Sequence, residues 1–430
     1  MPPSDSSSHS HSHAHGPDPD APPPTEETVG LRRRAVWLML LLLVPVALAT
    51  VVGLFVLWPG GEQTRAQRAA EVQLPPGTTY PEGRVVSVER VPCGTEAAGQ
   101  APQCANVVVE VLDGPGKGDF QQLQLSADIV GGGVAKDDVF VLTRDAGAAG
   151  GPLYGFFDYA RGTPIVVLAI AFAVVVGLVA RLRGLASLVG LGFAFFILLR
   201  FVMPGLLANE SPTLVTLVGS TAIMFVVLYL AHGFSARTTT ALIGTLSGLT
   251  LVAVLGSVAV SAARLTGLTT EETTQLQVLD PTLNFSGLVI AGVVVAGLGV
   301  LNDVTITQAS AIWQLKEVSP DITWRELYRR GMAVGRDHIA STVYTIVFAY
   351  AGAALPLLLL FELYSRPFTV SLFSAHVAEE VVRILVGGIA LVLAVPLTTA
   401  IGAFFALAAG TEAGAATDRR LSALRGRFAR

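Results

Sequence analysis

Residues 297–320 read GLGVLNDVTITQASAIWQLKEVSP, directly after the apolar run SGLVIAGVVVA. A charged side chain at the centre of a bilayer-spanning helix costs about 2.5–3.5 kcal/mol on insertion scales, so such residues are retained for pairing or for function. The acid here is Asp303, preceded by Asn302 and followed one turn later by Thr307. At helical spacing Gly299, Ala296 and Gly292 lie behind it and Ser310 lies beyond Thr307. Small faces let helix backbones approach closely in a membrane, so the spacing predicts that Asp303 points into a helix bundle rather than at lipid. There it could bind a proton or a cation. The plainer reading is a buried carboxylate paired with Arg336 or capped by neighbouring hydroxyls and amides.

The stretch GRDHIASTVYT repeats the design. From Asp337, helical steps reach Ser341, Thr345, Ala349 and Gly352, with Thr342 beside them and Arg336 close enough to neutralise a carboxylate. Two such seams on consecutive antiparallel spans are expected to pack together, with Asp303 against the Asp337 span. Between them, Thr323 followed by Glu326 is a capping-box pattern and predicts a short amphipathic helix. A third polar stretch, HVAEEVVRILVGGIALVLAVPLTT, places Glu380 and Arg383 one turn apart, where they can pair locally. Pro396, with Thr398 and Thr399 behind it, predicts a kink whose freed backbone groups find hydroxyls, and Pro356 predicts another. Paired glutamates with an arginine also suggest an intramembrane hydrolase. Here, however, two residues separate Glu380 from Arg383 where three are usual, and the histidines expected for a metal are missing.

The elements that must carry these residues follow from composition. Of 430 residues, 52% are hydrophobic and only 14% charged, and the mean hydropathy is +0.61. Several runs exceed 18 apolar residues, which defines a polytopic α-helical membrane protein. Eight spans are expected: 35–58, 164–180, 184–202, 213–231, 239–263, 286–312, 338–361 and 380–407, the last seven forming a membrane domain over 164–408. The first run is long enough to remain as an anchor, so no cleavable leader is expected. Lys and Arg cluster at Arg32–Arg34, Arg181, Arg183, Arg237, Lys316, the 325–336 segment and the basic tail 409–430. By the positive-inside rule both termini are then cytoplasmic in the cell membrane.

Residues 70–150 differ in character. Short alternating segments such as ANVVVEVLDG and DDVFVLTR, separated by Gly, Pro and Asp, predict a small all-β domain, consistent with a partly closed barrel. The topology puts it outside the cytoplasm, where Cys93 and Cys104 can form a disulfide. Residues 1–30 are rich in Ser, His and Pro and have little to bury, so they read as a disordered cytoplasmic tail. Within it His9, His11, His13 and His15 alternate and could bind Zn²⁺ or Ni²⁺ weakly. A solvated tail is the simpler reading.

FDYAR, GVLNDVTITQASAI, GRDHIASTVYT and EEVVRILVGGIALVLAVPLTT together resemble the YibE/F family of bacterial integral membrane proteins, over about residues 80–408. The resemblance implies an external β-rich region and a multi-span C-terminal part. It marks Asp158, Tyr159, Arg161, Asp303, Gly335, Arg336, Asp337, Thr342, Glu380, Arg383 and Pro396 as motif positions, and brings no biochemical activity with it. Tyr344 departs from the pattern, where an amide is more usual, and the His-rich tail and the Cys93–Cys104 excursion look like additions.

No phosphate-binding loop, nucleophile elbow or zinc-protease motif is present, so neither an ATPase motor nor a soluble enzyme is expected. No cofactor is assigned, and nothing points to nucleic acid. The expected function is a secondary transporter or permease for a small solute or ion. Its coupling candidates are Asn302, Asp303, Thr307, Arg336, Asp337, Ser341, Thr342, Glu380 and Arg383. Two alternatives stand beside it: a membrane scaffold whose external β domain binds a protein partner, and the disfavoured hydrolase.

Overall fold

The computed structural model describes residues 26–61, 63–73, 77–93, 103–147, 151–363 and 367–409. The His-rich positions His9, His11, His13 and His15 and the basic tail after 409 lie outside them. The described residues begin with α1 (Glu26–Val56). This helix starts inside the segment expected to lack structure, and Glu26 and Glu27 sit at its N-terminus, where the helix dipole favours acids. A short α2 (Arg65–Gln73) follows.

Next comes a five-stranded antiparallel sheet, β1 (Glu82–Pro92), β2 (Gln103–Val111), β3 (Phe120–Leu125), β4 (Val139–Asp145) and β5 (Leu153–Tyr159), in spatial order β3-β2-β1-β4-β5. The one-turn helix α3 (Ala127–Gly131) joins β3 to β4. The alternation seen in the sequence sets the register: Ala105, Val107, Val109 and Val111 of β2 all point inward. With Val85, Leu123, Leu125, Phe140 and Leu142 they form one apolar core. The edge strands β3 and β5 approach within 8 Å between Cα atoms, so the sheet curls into a partly closed barrel. Cys93 and Cys104 are bonded, with Cα atoms 5.1 Å apart. The bond ties the end of β1 to β2 where Val91 already pairs with Cys104.

Tyr159 leads almost directly into α4 (Gly162–Ile197), which continues through a π-helical turn (Leu198–Val202) into α5 (Met203–Leu207). This 46-residue stretch is not one straight rod. Arg181 has φ 53° and ψ −136°, and a Cβ on Gly184 would lie 2.5 Å from the Val176 carbonyl oxygen. Eight residues of straight helix span about 12 Å, so the chain doubles back at Arg181. Then come α6 (Pro212–His232), α7 (Ala236–Ala262), α8 (Glu271–Leu279), α9 (Phe285–Val318) and α10 (Trp324–Ala353). The last described helices are α11 (Leu355–Leu363), α12 (Phe368–Leu372) and α13 (Ala375–Ala409). Six helices among the described residues are long and apolar enough to cross a membrane: Val36–Val56, Gly162–Leu207, Pro212–His232, Ala236–Ala262, Phe285–Val318 and Ala375–Ala408. The expected 338–361 span is instead divided between α10 and α11. The break falls at Ala354, and Pro356 sits in the first turn of α11, where a missing N–H costs nothing.

The bundle is built on α7, α9 and α13, each packed against the other two, with α6 and α10 flanking them. Val252, Ala253, Val293, Val294, Leu301, Val386, Ala390 and Ala394 fill the centre. Thr323 caps α10 through the Glu326 N–H, as the sequence predicts. No separate amphipathic helix results, because α10 runs unbroken from Trp324 to Ala353. Glu326 is instead drawn to Arg329 and Arg330, whose guanidiniums hold its carboxyl at about 2.

Candidate functional site

The residues of NDVTITQ fall on two faces of α9. The inward face carries Leu301, Val304, Thr305, Gln308 and Ile312, all buried. Thr305 and Thr245 of α7 share a hydroxyl hydrogen bond of 2.6 Å. The Gln308 amide donates at 2.8 Å to the Gly331 carbonyl of α10 and at 2.7 Å to the Thr399 hydroxyl of α13. Thr399 in turn donates to the Val395 carbonyl at 2.6 Å, beside Pro396. Gly331 and Gly335 make this meeting possible. A Cβ on Gly331 would collide with Ile312, and one on Gly335 would stand 2.5 Å from Val395 Cγ1. Hydroxyls and one amide thus join four helices through a buried knot. Such interhelical bonds average about 0.6 kcal/mol and reach about 1.7.

These bonds also fix depth. Thr245 is the tenth residue of the 27-residue α7 and lies opposite Thr305. Helices rise about 1.5 Å per residue, so Asp303 stands some 18 Å along the roughly 40 Å length of α7, near the middle of that helix. Gln308 is bonded to Gly331, and α10 runs antiparallel to α9. Five residues back on α9 and five forward on α10, Asp303 comes level with Arg336 and Asp337.

The expected inward seam faces the other way. Gly299, Asp303 and Thr307 are exposed, and a Cβ on Gly299 would meet nothing within 4 Å. On α10 the packed line is Leu327, Gly331, Gly335 and Ile346, while Arg336, Asp337, Ser341 and Thr345 are exposed. Asp303 is therefore not packed against the Asp337 span. Among the described residues neither acid makes an ion pair, and neither does Arg336. The reason is geometric. Helix α9 already has α6, α7, α10 and α13 against the face that carries Leu301 and Gln308, so the face opposite it stays open.

The remaining candidates are placed as follows. Asn302 is half-buried, and its side-chain oxygen is enclosed without a hydrogen-bond partner. Thr342 donates to the His338 carbonyl at 2.9 Å. Arg383 and Glu380 pair at 2.9 Å, as their spacing predicts, and Arg383 also reaches toward Gly292 of α9. Asp158 and Arg161 form an exposed pair at 2.6 Å where the barrel meets α4, and that contact holds the Asp158 carboxyl below its ordinary value.

Sequence reasoning passed over three groups. Gln308 and Thr305 share the period of Leu301 and Ile312, and that shared period was the available signal. Glu379 is buried, accepting from the Thr269 hydroxyl at 2.9 Å with its other oxygen unpartnered. Nothing in the EE pair marks Glu379 over Glu380. His338 has an enclosed, unpartnered Nε2 on α10. No group of three or more His, Cys, Asp or Glu converges among the described residues.

A family model described as YibE/F-like protein matches residues 168–407, which contain α6 to α12 and nearly all of α13. No curated protein and no solved structure matches the chain.

Proposed function

The chain belongs to the YibE/F-like protein family, and from that premise we propose that it is a multi-pass permease for an ion or small polar solute, with Asp303, Arg336 and Asp337 at the polar path. The observation that carries this reading is the level shared by these three charges near the middle of α7, with no ion pair among them. Hydrocarbon does not tolerate bare charge there, so water, solute or protein must face them. A scaffold that only displayed the barrel would need none of the three.

The proposed path has eight crossings. The stretch Gly162–Leu207 supplies two because of the reversal at Arg181, and α10 with α11 supplies one. Arg181, Arg183, Arg237, Lys316 and Arg325 then share one side, which the positive-inside rule makes cytoplasmic. The barrel and its disulfide face the opposite side, where a protein partner could reach them. Cysteine labelling tests this placement without disturbing the bonded pair. Val72→Cys and Val318→Cys, both highly exposed positions, are treated in intact cells with an impermeant maleimide. Labelling at 72 and none at 318 is the expected result; the reverse pattern inverts the topology.

The transport reading is tested by Asp303→Asn in proteoliposomes screened for flux of protons, monovalent and divalent cations and small anions. The amide keeps size and hydrogen bonding, so folded yield should match the parent while flux falls at least tenfold. Full flux in Asp303→Asn would make the acid an assembly residue and leave the scaffold as the better reading.

A further inference from the structure

We propose that the enclosed carboxylate of Glu379 is a binding subsite for a small cation of unit charge, an inorganic ion or an ammonium group, at the barrel end of the bundle. It deepens the permease reading above, on which it rests, by giving the solute a charge. Glu379 lies in the second turn of α13 and is only 8% exposed. Its neighbours Ala378 and Val382 pack into an apolar cluster with Val260, Leu265 and Val289. One carboxylate oxygen accepts from the Thr269 hydroxyl at 2.9 Å, and the other is enclosed with no partner among the described residues. The obvious counter-charge is one turn away. Arg383 stands four residues on, where side chains on a helix are neighbours. Its guanidinium is nevertheless turned to Glu380 at 2.9 Å, and a Cβ on Gly292 of α9 would lie 3.7 Å from its Nη2. The Nε of Arg383 is itself enclosed and unbonded among the described residues.

A buried carboxylate needs a positive partner or several donors, because burial removes the water that would otherwise solvate it. One hydroxyl meets little of that need. Glu379 and Glu380 stand beside a single guanidinium, and no described Lys, Arg or His forms an ion pair with Glu379. The cluster is therefore short of one positive charge. A small cation of unit charge supplies it and suits oxygen ligands, whereas an anion would meet two carboxylates for one arginine. The approach is acidic as well. Thr269 lies just before α8, whose exposed first residues are Glu271 and Glu272, and α8 packs against α2 on the barrel side. Negative charge at a mouth raises the local concentration of cations. The subsite is distinct from the charges on α9 and α10. Gly292 meets Arg383, and Gln308 is bonded to Thr399, so α9 and α13 run parallel at a constant offset. Glu379 is thus level with Leu288 of α9, about 22 Å from Asp303 along that helix.

The test is equilibrium binding of radiolabelled sodium, rubidium or methylammonium to the purified full chain, with choline chloride holding the ionic strength constant. At least one probe should bind saturably, at one per chain, and resist displacement by choline; which one binds distinguishes an inorganic ion from an ammonium group. Glu379→Gln should lower that binding at least tenfold. Glu380→Gln should lower it at least fivefold, because Arg383 is then free to turn to Glu379 and take the place of the cation. Arg383→Gln should keep it, because a competitor and not a ligand is removed. Variants are compared as equal amounts of monodisperse protein. No saturable binding of any probe to the parent overturns the proposal, whether or not the variants fold. Undiminished binding in Glu379→Gln overturns it too, as does binding lost in Arg383→Gln and kept in Glu380→Gln. Flux measured on the same chain separates the two claims. Saturable binding with no flux defeats the permease alone. Flux that Asp303→Asn abolishes, in a chain that binds no probe at Glu379, defeats the subsite alone.

Discussion

Gly244→Leu is expected to leave no folded membrane domain. A side chain there has nowhere to go, because even a Cβ would collide with the Thr398 hydroxyl and lie 3.1 Å from Thr398 Cβ. Gly244 is buried where α7 crosses α13, one residue from Thr245 and its bond to Thr305. Forcing the helices apart would strain three contacts together: the α7–α13 crossing, the hydroxyl pair to α9 and the Gln308–Thr399 bond. Overpacking a well-filled core costs about 1–3 kcal/mol even where neighbours can adjust. Here the neighbour is a β-branched residue on a helix that has no room to retreat. The measurement is the monodisperse fraction of a fluorescent fusion after mild solubilisation, expected to fall at least tenfold. Gly192→Leu is the matched control, since a Cβ there meets nothing within 4 Å. An equal fall in both variants would mean that bulk in a span, and not this crossing, is what fails.

Removing the disulfide should unfold the barrel and spare the bundle. Cys93 and Cys104 are 11 residues apart, and closing a loop of that size restricts the unfolded chain by about 3 kcal/mol in the loop-entropy treatment. The barrel has one small core, so that is a large share of the 5–15 kcal/mol typical of a whole domain. Cys93→Ser with Cys104→Ser should therefore make β1 to β5 sensitive to protease in detergent. The fragment containing α6 to α13 should stay resistant, because the bond ties β1 to β2 and the bundle has its own core. Non-reduced peptide mapping of the parent should recover the two cysteines as one linked species. Two separately alkylated peptides obtained without reductant would count against the bond and remove the basis for the stability difference.

Much of the architecture could be read from period and composition. The alternation of Ala105, Val107, Val109 and Val111 announces a half-buried strand, and the apolar runs announce the helices. The pairing of Cys93 with Cys104, the cap at Thr323 and the local pair Glu380–Arg383 were legible because each depends on residues close in sequence. The direction of Asp303 was not. A stripe of small and polar residues looks the same whether a neighbour from the same chain covers it or nothing does. The competing face of α9, with Leu301, Thr305, Gln308 and Ile312, has the same period and the stronger tertiary partners, so it won the interior. Glu379 and Glu380 show the same limit. Adjacent in sequence, they point about 100° apart on a helix, and only the position of Thr269 decides which one is enclosed.

Where the chain turns back at Arg181, it also determines how it can be made. The leg from Gly162 to Ala180 has no buried residue and packs against little but its own return through Gly184. A pair of apolar helices joined by so short a turn satisfies its backbone groups internally. It can therefore leave the insertion machinery as a unit, before α7, α9 and α13 have been synthesised. In the proposed topology Arg181 and Arg183 at its tip stay on the side where the chain is made. The bundle then assembles against a wall already standing: Gly190 and Val202 on the return leg receive Val227 and Gly219 of α6, the next helix to emerge. For α6 the order of synthesis and the order of packing coincide, because the return leg it packs against precedes it in the chain.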